Sequence, residues 1–382
     1  MRALIIKTFP AEIQWRRPAY NVQELGLAAA LRRRGVETDV MCIAEDGRAA
    51  THIVRMGGTD VTLHCAKAFC QVKNNAWFRG TGGLENEYDI LMPEEYNELY
   101  TWHLAKAHPG KVLCYHGPYF HPFNRGYNRM AKGFDAFFLG RYKRLGTPFL
   151  TKSDLARAYL EGKGLTRVRT VGVGLDLSFF GGREAAPLPR GRDGGRLELL
   201  YLGVLTERRN ALFLLDVARE LAARGVDFGL TVIGAFGDEE YKRRFWACVE
   251  ERKLGGAVRH VPRVEQKDLA DVYGAADIFL FPTRYDIFGM VLLEAMHFGR
   301  AVLTTRNGGS ETLVEDGKNG FILDGGDAGA WADRIEALGR DRGKLAAVGA
   351  AAKETVDAGY TWDALAGRFC GAFEDWLASR WT

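Results

Sequence analysis

The chain holds 382 residues, of which 47% are hydrophobic and 26% charged. That balance suits a globular protein with a sizeable core and excludes a disordered or collagen-like chain. At roughly 100–200 residues per domain the length predicts about two domains, and no apolar run approaches the roughly 18 residues of a membrane span.

The net charge of +4 is unevenly placed. Residues 1–180 carry 25 basic and 17 acidic side chains, a charge of +8, whereas the remainder carries 27 basic and 31 acidic, a charge of −4. A basic first half suits an anionic partner, whether a membrane surface, a phosphorylated acceptor or nucleic acid. Cys42, Cys65, Cys70, Cys114, Cys248 and Cys370 form no C-x-x-C pair, so buried reduced thiols are expected.

In chain order, RALIIK (2–7) reads as a buried strand too short for a secretory signal, which predicts a cytoplasmic protein. A helix follows from about Tyr20 to Arg34, with Val22, Leu25, Leu27, Ala28 and Leu31 at helical spacing; Gly35 stops it and VETDVMCI is the next strand. Further strands are expected at Tyr88–Met92, Lys111–Tyr115, Ala136–Leu139, Pro148–Thr151 and Val168–Val173. Residues 181–195, rich in Gly, Pro and Arg, read as a linker. Beyond it, strands at 197–204, 228–234, 258–262, 277–281 and 301–305 alternate with helices at about 210–224, 238–253, 266–274 and 287–299. A last amphipathic helix covers 361–381. The expected domains are therefore residues 1–180, a linker at 181–195, residues 196–360, and a terminal helix at 361–382 that packs back towards the first domain. The fold class is α/β: two Rossmann-like, doubly wound parallel-sheet domains facing a central cleft.

Ligands of such sheets bind at the carboxyl ends of the strands, which singles out DIFLFPTRYDIFGMVLLEAMHFGRAVLTT (277–305). A strand ends at Phe281, a loop carries Asp286, and a helix opens near Gly289. The backbone N–H groups of Gly289, Met290 and Val291 at that helix start favour a bound phosphate. Glu294 follows eight positions after Asp286, and two such carboxylates can flank a diphosphate, each accepting hydroxyl hydrogen bonds from a sugar. The plainer alternative is that Asp286 initiates the helix and Glu294 pairs locally.

The order D-x-F-G-x-x-x-x-E-A-M-x-x-G resembles the E-x-F-G-x-x-x-x-E signature of the retaining glycosyltransferases of family 4, which have the GT-B fold. The resemblance extends through YLGVLTERRNALFLLDVA, LTVIGAFGDEEY, LADVYGAADIFLFP, NGG (307–309) and EDGKNGFIL (315–323). In the first half it includes LAAALRRRGVETDV, VLCYHG, FLTKSD and VGVGLDLSFF. It implies that Glu294 holds the ribose hydroxyls and Asp286 contacts the transferred sugar. Arg208 and Arg209 hold the diphosphate, and His116 faces the donor sugar from the first domain. It implies a hexosyltransferase that retains anomeric configuration, uses a UDP- or GDP-linked sugar and needs neither cofactor nor metal. The acceptor class is a glycan, a lipid-linked molecule or a small molecule, as in cell-surface polysaccharide or glycoconjugate synthesis, with no nucleic-acid partner.

The chain departs from the pattern at several points. Asp286 stands for the first glutamate, Arg209 for the usual lysine, and Val204 where many members have arginine. FPAEIQWRRPAY replaces the Gly-Gly loop after the first strand, so Arg16 and Arg17 are candidate substitutes. The segment Arg125–Arg144 holds six basic residues against Asp135, interleaved with Tyr127, Phe134, Phe137, Phe138 and Tyr142. It reads either as a peripheral contact with the inner face of the cytoplasmic membrane or as a helix and a core strand joined by a turn. Alternatives for the whole chain are a nucleotide-sugar epimerase of the same shape and a catalytically inactive nucleotide-sugar-binding regulator.

Overall fold

A computed structural model describes residues 1–7, 23–44, 47–72, 75–78, 81, 83–180 and 195–381. Arg16, Arg17 and most of the 181–195 connection lie outside the described residues. The chain divides into two compact units, Met1–Ser178 with Thr361–Thr382, and Phe179–Tyr360.

The first unit runs β1 (Arg2–Ile6), α1 (Gln23–Arg33), β2 (Glu37–Ile43), β3 (Ala50–Met56), β4 (Thr59–Ala66), β5 (Ala68–Val72), β6 (Asn75–Phe78), β7 (Ile90–Pro93), α2 (Leu99–Ala107), β8 (Cys114–His116), α3 (Arg125–Phe134), α4 (Gly140–Leu145), β9 (Phe149–Thr151), α5 (Asp154–Gly162) and β10 (Val168–Thr170). One sheet has the order β3-β4-β2-β1-β7 and another β10-β9-β8. Parallel bridges Leu91–Val112 and Glu94–Tyr115 run between β7 and the segment of β8. The near-continuous apolar strands β1, β2 and β7 are buried, as a sheet covered on both faces requires.

The second unit runs β11 (Leu197–Leu202), α6 (Phe213–Ala223), β12 (Phe228–Ile233), α7 (Glu239–Glu251), β13 (Val258–Val261), α8 (Leu269–Gly274), β14 (Ile278–Phe281), α9 (Met290–His297), β15 (Ala301–Thr304), α10 (Ser310–Leu313), β16 (Phe321–Ile322), α11 (Ala328–Arg340) and α12 (Arg342–Gly359). Its sheet is β13-β12-β11-β14-β15-β16, parallel throughout. That is the doubly wound order in which the strand sequence reverses at the β11/β14 junction. Trp331, Phe245 and Leu280 are among the buried side chains of its core. The final helix, α13 (Trp362–Leu377), belongs to the first unit. Thr361 caps it by accepting from the Ala364 N–H at 3.2 Å.

Two departures from the sequence reading stand out. The expected strand Ala136–Leu139 is helical, a π-type turn over Asp135–Leu139 between α3 and α4. The FDAFFL run looked like a buried strand. However, Phe134, Phe138 and Tyr142 recur every four residues and stack on one face, Phe134 lying 4.8 Å from Phe138 and 6.0 Å from Tyr142 between ring centroids. Phe137 points away and is 73% exposed. The second departure lies between Ile43 and Tyr88, where no element was expected. Here β3 pairs antiparallel with β4, and β5 with β6, so the first unit's sheet carries an antiparallel edge strand.

Candidate functional site

In the second unit, the strand reversal brings two loops together at the carboxyl ends of β11 and β14. The first carries Arg208 and Arg209, the second Asp286. Arg209 Nη1 donates to Asp286 Oδ2 in a close ion pair. The Arg208 guanidinium donates to the Tyr285 carbonyl at 2.9 Å, and the Arg284 N–H to the Arg208 carbonyl at 3.0 Å. Burial, reinforced by the neighbouring Arg209 cation, lowers the Arg208 pKa. Two adjacent guanidiniums that repel one another in a partly desolvated loop are stabilised by an added anion. The Arg209 guanidinium also lies 5.7 Å from the Phe281 ring centroid.

Gly289 forms the N-cap of α9 at φ +79°. A Cβ there would sit 2.9 Å from Phe281 Cε1 in a backbone region that favours glycine. The first bond of a regular helical turn runs from the Leu293 N–H to the Gly289 carbonyl at 3.3 Å. The amides of Met290 and Val291 therefore precede the helical ladder, where an anion is favoured. The Gly308–Gly309 segment lies backbone-to-backbone on this loop: a Cβ on Gly309 would fall 1.7 Å from the Phe288 carbonyl oxygen. Asn307, fully buried, holds that segment by accepting from the Gly309 and Ser310 N–H groups at 3.0 and 3.2 Å.

Glu294 sits further along α9, 2% exposed. Its Oε2 accepts from the Tyr273 hydroxyl of α8 at 2.9 Å. The structure thus joins Arg209 with Asp286, sets Arg208 against the residue before Asp286, and gives Glu294 a separate phenolic partner. Tyr273 was not foreseen: it lies in LADVYGAADIFLFP, but only the packing of α8 against α9 shows which carboxylate it meets. Val204 is 50% exposed.

His116 belongs to the first unit, at the end of β8, and is fully buried. Its Nδ1 lies 2.7 Å from Glu95 Oε2 and its Nε2 lies 3.5 Å from the Tyr127 hydroxyl. Tyr96 packs edge-on against the imidazole at 5.1 Å. Around this pair, at the ends of β1, β7 and β9, Lys7 Nζ meets Glu24 at 2.7 Å and Lys152 Nζ meets Glu94 at 3.1 Å. Burial alone would raise the Glu95 pKa, but His116, Lys152 and the Gly117 N–H together outweigh it and the net shift is downward. Glu98 has no such partner: burial, with the Glu95 charge nearby, pushes its carboxyl up to about 9. Among the described residues no group of three His, Cys, Asp or Glu side chains is placed to hold a metal ion, and no helix is long and apolar enough to cross a membrane.

Two α/β units built on parallel sheets match the fold of the GT-B glycosyltransferases. Sucrose-phosphate synthase from Thermosynechococcus elongatus superposes with a TM-score of 0.70 at 18% identity, covering 99% of this chain and 100% of that one. HepE from Anabaena, solved in complex with UDP and glucose, gives 0.68 at 15% identity over 98% of this chain and 100% of that chain. At such identities the likeness speaks for the fold. Residues 183–355 match the family model of the glycosyl transferases group 1. The D-inositol 3-phosphate glycosyltransferase of Pseudarthrobacter chlorophenolicus is 32% identical over 196 residues, which is 50% of this chain and 46% of that protein. D-inositol 3-phosphate glycosyltransferase 2 of Catenulispora acidiphila is 34% identical over 222 residues, 56% of this chain and 51% of that protein. The chain thus spans about half the length of the curated relatives it matches.

Proposed function

We propose that this protein is a retaining, metal-independent glycosyltransferase of family 4 type. In this reading it moves a hexose from a UDP- or GDP-sugar to a glycan, lipid-linked or small-molecule acceptor in the cytoplasm. The observation that carries the reading is the Arg208–Arg209–Asp286 cluster at the β11/β14 reversal, inside the stretch that matches the group 1 model.

In this reading the diphosphate lies between the Arg208 and Arg209 guanidiniums and the amides of Gly289, Met290 and Val291. Glu294 takes the ribose hydroxyls and Asp286 a hydroxyl of the transferred hexose. The bond from the sugar C1 to the β-phosphate oxygen breaks and its electron pair stays on the phosphate. The acceptor oxygen bonds C1 from the same face, and its proton passes to the departing phosphate. Arg209 stabilises the charge that grows on that phosphate. Because Asp286 and Arg209 already pair, the incoming diphosphate competes for a preformed cation rather than ordering a free one. The relatives' names make D-inositol 3-phosphate one acceptor to test.

A lipid-linked acceptor is favoured by the exposed side chains of the first unit's Arg125–Arg144 segment. Arg125, Arg129, Lys132, Arg141, Lys143 and Arg144 are exposed there, along with Phe137 and the nearby Phe120 and Phe123. The acid of that segment, Asp135, is paired with Lys163. This composition suits the headgroups of an anionic leaflet.

The test is a thermal-shift screen against UDP-, GDP- and ADP-sugars with chelator present, followed by a transfer assay with the donor that binds. A ligand at about 100 times its Kd stabilises the folded state by about 2.7 kcal/mol, so the correct donor raises Tm by several degrees. Glu294→Ala, and the gentler Glu294→Gln, abolish that shift if Glu294 holds the ribose. No shift with any sugar nucleotide overturns the reading. A shift with neither transfer nor hydrolysis favours a regulator, and interconversion of the donor sugar favours an epimerase.

A further inference from the structure

Resting on that reading, we propose that Tyr273 is the positioning residue for Glu294, and that the pair makes the second unit's nucleotide site selective for ribose over deoxyribose.

The first observation is a hydrogen bond made wholly within the second unit. The Tyr273 hydroxyl of α8 donates to Glu294 Oε2 of α9 at 2.9 Å, and both side chains are buried. The same hydroxyl lies 3.3 Å from the Val291 carbonyl, but it has one proton, and the carboxylate at the shorter distance takes it. A carboxylate offers about four acceptor positions. Tyr273 uses one and thereby fixes the Glu294 side-chain torsions, so the other positions keep a set direction. A ribose presents its hydroxyls in a fixed geometry, and an acceptor already held in place loses less entropy when it meets them.

The second observation is how firmly the phenol itself is held. Tyr273 is fully buried. Its ring stacks on Phe298 at 5.2 Å with 22° between the planes, and Phe279 of β14 meets it edge-on at 5.9 Å. Phe298 lies one turn beyond Glu294, its N–H bonding the Glu294 carbonyl at 2.9 Å. Phe279 in turn stacks on Phe281 at 6.1 Å, and the Arg209 guanidinium lies 5.7 Å from that ring. One row of packed aromatic rings therefore runs from the support of Glu294 to the cation assigned to the diphosphate. For packing alone phenylalanine would serve at position 273 without a buried hydroxyl to satisfy. The use that the structure gives this hydroxyl is its bond to Glu294.

The test titrates the full chain calorimetrically with UDP, GDP and ADP, with their 2′-deoxy and 3′-deoxy forms, and with inorganic pyrophosphate. The unaltered protein is compared with Tyr273→Phe, Glu294→Gln and the double variant. The unaltered protein prefers the ribose form of its nucleotide by about tenfold or more, the size expected for a hydrogen bond to a charged group. Tyr273→Phe brings that ratio towards one. The double variant discriminates no less than Glu294→Gln alone, because the hydroxyl acts through the carboxylate. Pyrophosphate, which lacks the ribose, binds them all alike. With the sugar nucleotide, Tyr273→Phe raises KM while kcat holds, as for a contact equal in ground and transition states. A hydroxyl that merely braced α8 against α9 would lower Tm and weaken every ligand equally, leaving the ribose-to-deoxyribose ratio unchanged, and that result overturns the proposal. If Glu294→Gln lowers the ratio and Tyr273→Phe does not, Glu294 keeps its ribose role and the proposal alone falls. If neither lowers it, or if no nucleotide binds, the ribose role of Glu294 falls as well.

Discussion

Replacing Glu98 by glutamine is predicted to stabilise the protein, and increasingly so as pH rises. Glu98 is 2% exposed, its Oε2 has no hydrogen-bond partner among the described residues, and although it occupies the N-cap of α2 its side chain makes no capping bond. Burial and the nearby Glu95 charge carry its pKa from 4.5 to about 9. Between those values the folded state keeps the proton and the unfolded chain releases it. The unfolded state then binds fewer protons, so stability falls as pH rises across that window. The slope is at most about 1.4 kcal/mol per pH unit. From near pH 5 to near pH 8 this amounts to about 2–4 kcal/mol, the lower figure allowing for water entry. Glutamine keeps the shape and cannot ionise. In a unit of roughly 200 residues, 1 kcal/mol moves Tm by about 2–4 °C. The advantage of Glu98→Gln over the unaltered protein should therefore grow by about 5–15 °C across that range, measured by calorimetry on the first unit's transition. A gap that stays constant with pH would falsify the assignment of a neutral buried carboxyl.

Two further substitutions probe the two units separately. Arg209→Ala should lower kcat by about 10²–10³-fold, as loss of one fixed charge donor to a developing anion does, while nucleoside diphosphate affinity by calorimetric titration changes far less; equal losses in both would remove Arg209 from the leaving-group role. Gly174→Ala should lower the Tm of the first unit by an amount equivalent to about 1–3 kcal/mol, because a Cβ there meets Trp362 Cδ2 at 2.4 Å; an unchanged melting curve would show that α13 shifts without cost.

The second unit was largely legible from sequence because its parallel strands are continuous apolar runs and its helices carry one apolar stripe. Those are the patterns that periodicity reads. The Asp286 and Arg209 positions were legible for a different reason: they lie in short motifs fixed relative to strand ends. Residues 136–139 were misread because four consecutive apolar or aromatic positions satisfy a strand and a helix equally, and only the stacking of Phe134, Phe138 and Tyr142 decides. Glu95 and Tyr273 left no local signal. Glu95 lies in an acidic run that resembles a solvated loop, and its strained φ of +60° arises from the contact of β7 with β8. Tyr273 meets Glu294 only because two helices pack. Partner choice across elements is a tertiary property, and a single sequence holds no record of it.

The assignment of α13 to the first unit has a consequence for how the molecule is made. The slot for Trp362, formed by Gly26 and Gly174, exists long before the ribosome delivers the residue that fills it. Residues 179–360 are synthesised in between and include every strand of their own sheet. The later-encoded unit can thus close while the earlier one still lacks its last helix, reversing the usual amino-to-carboxyl order of domain completion.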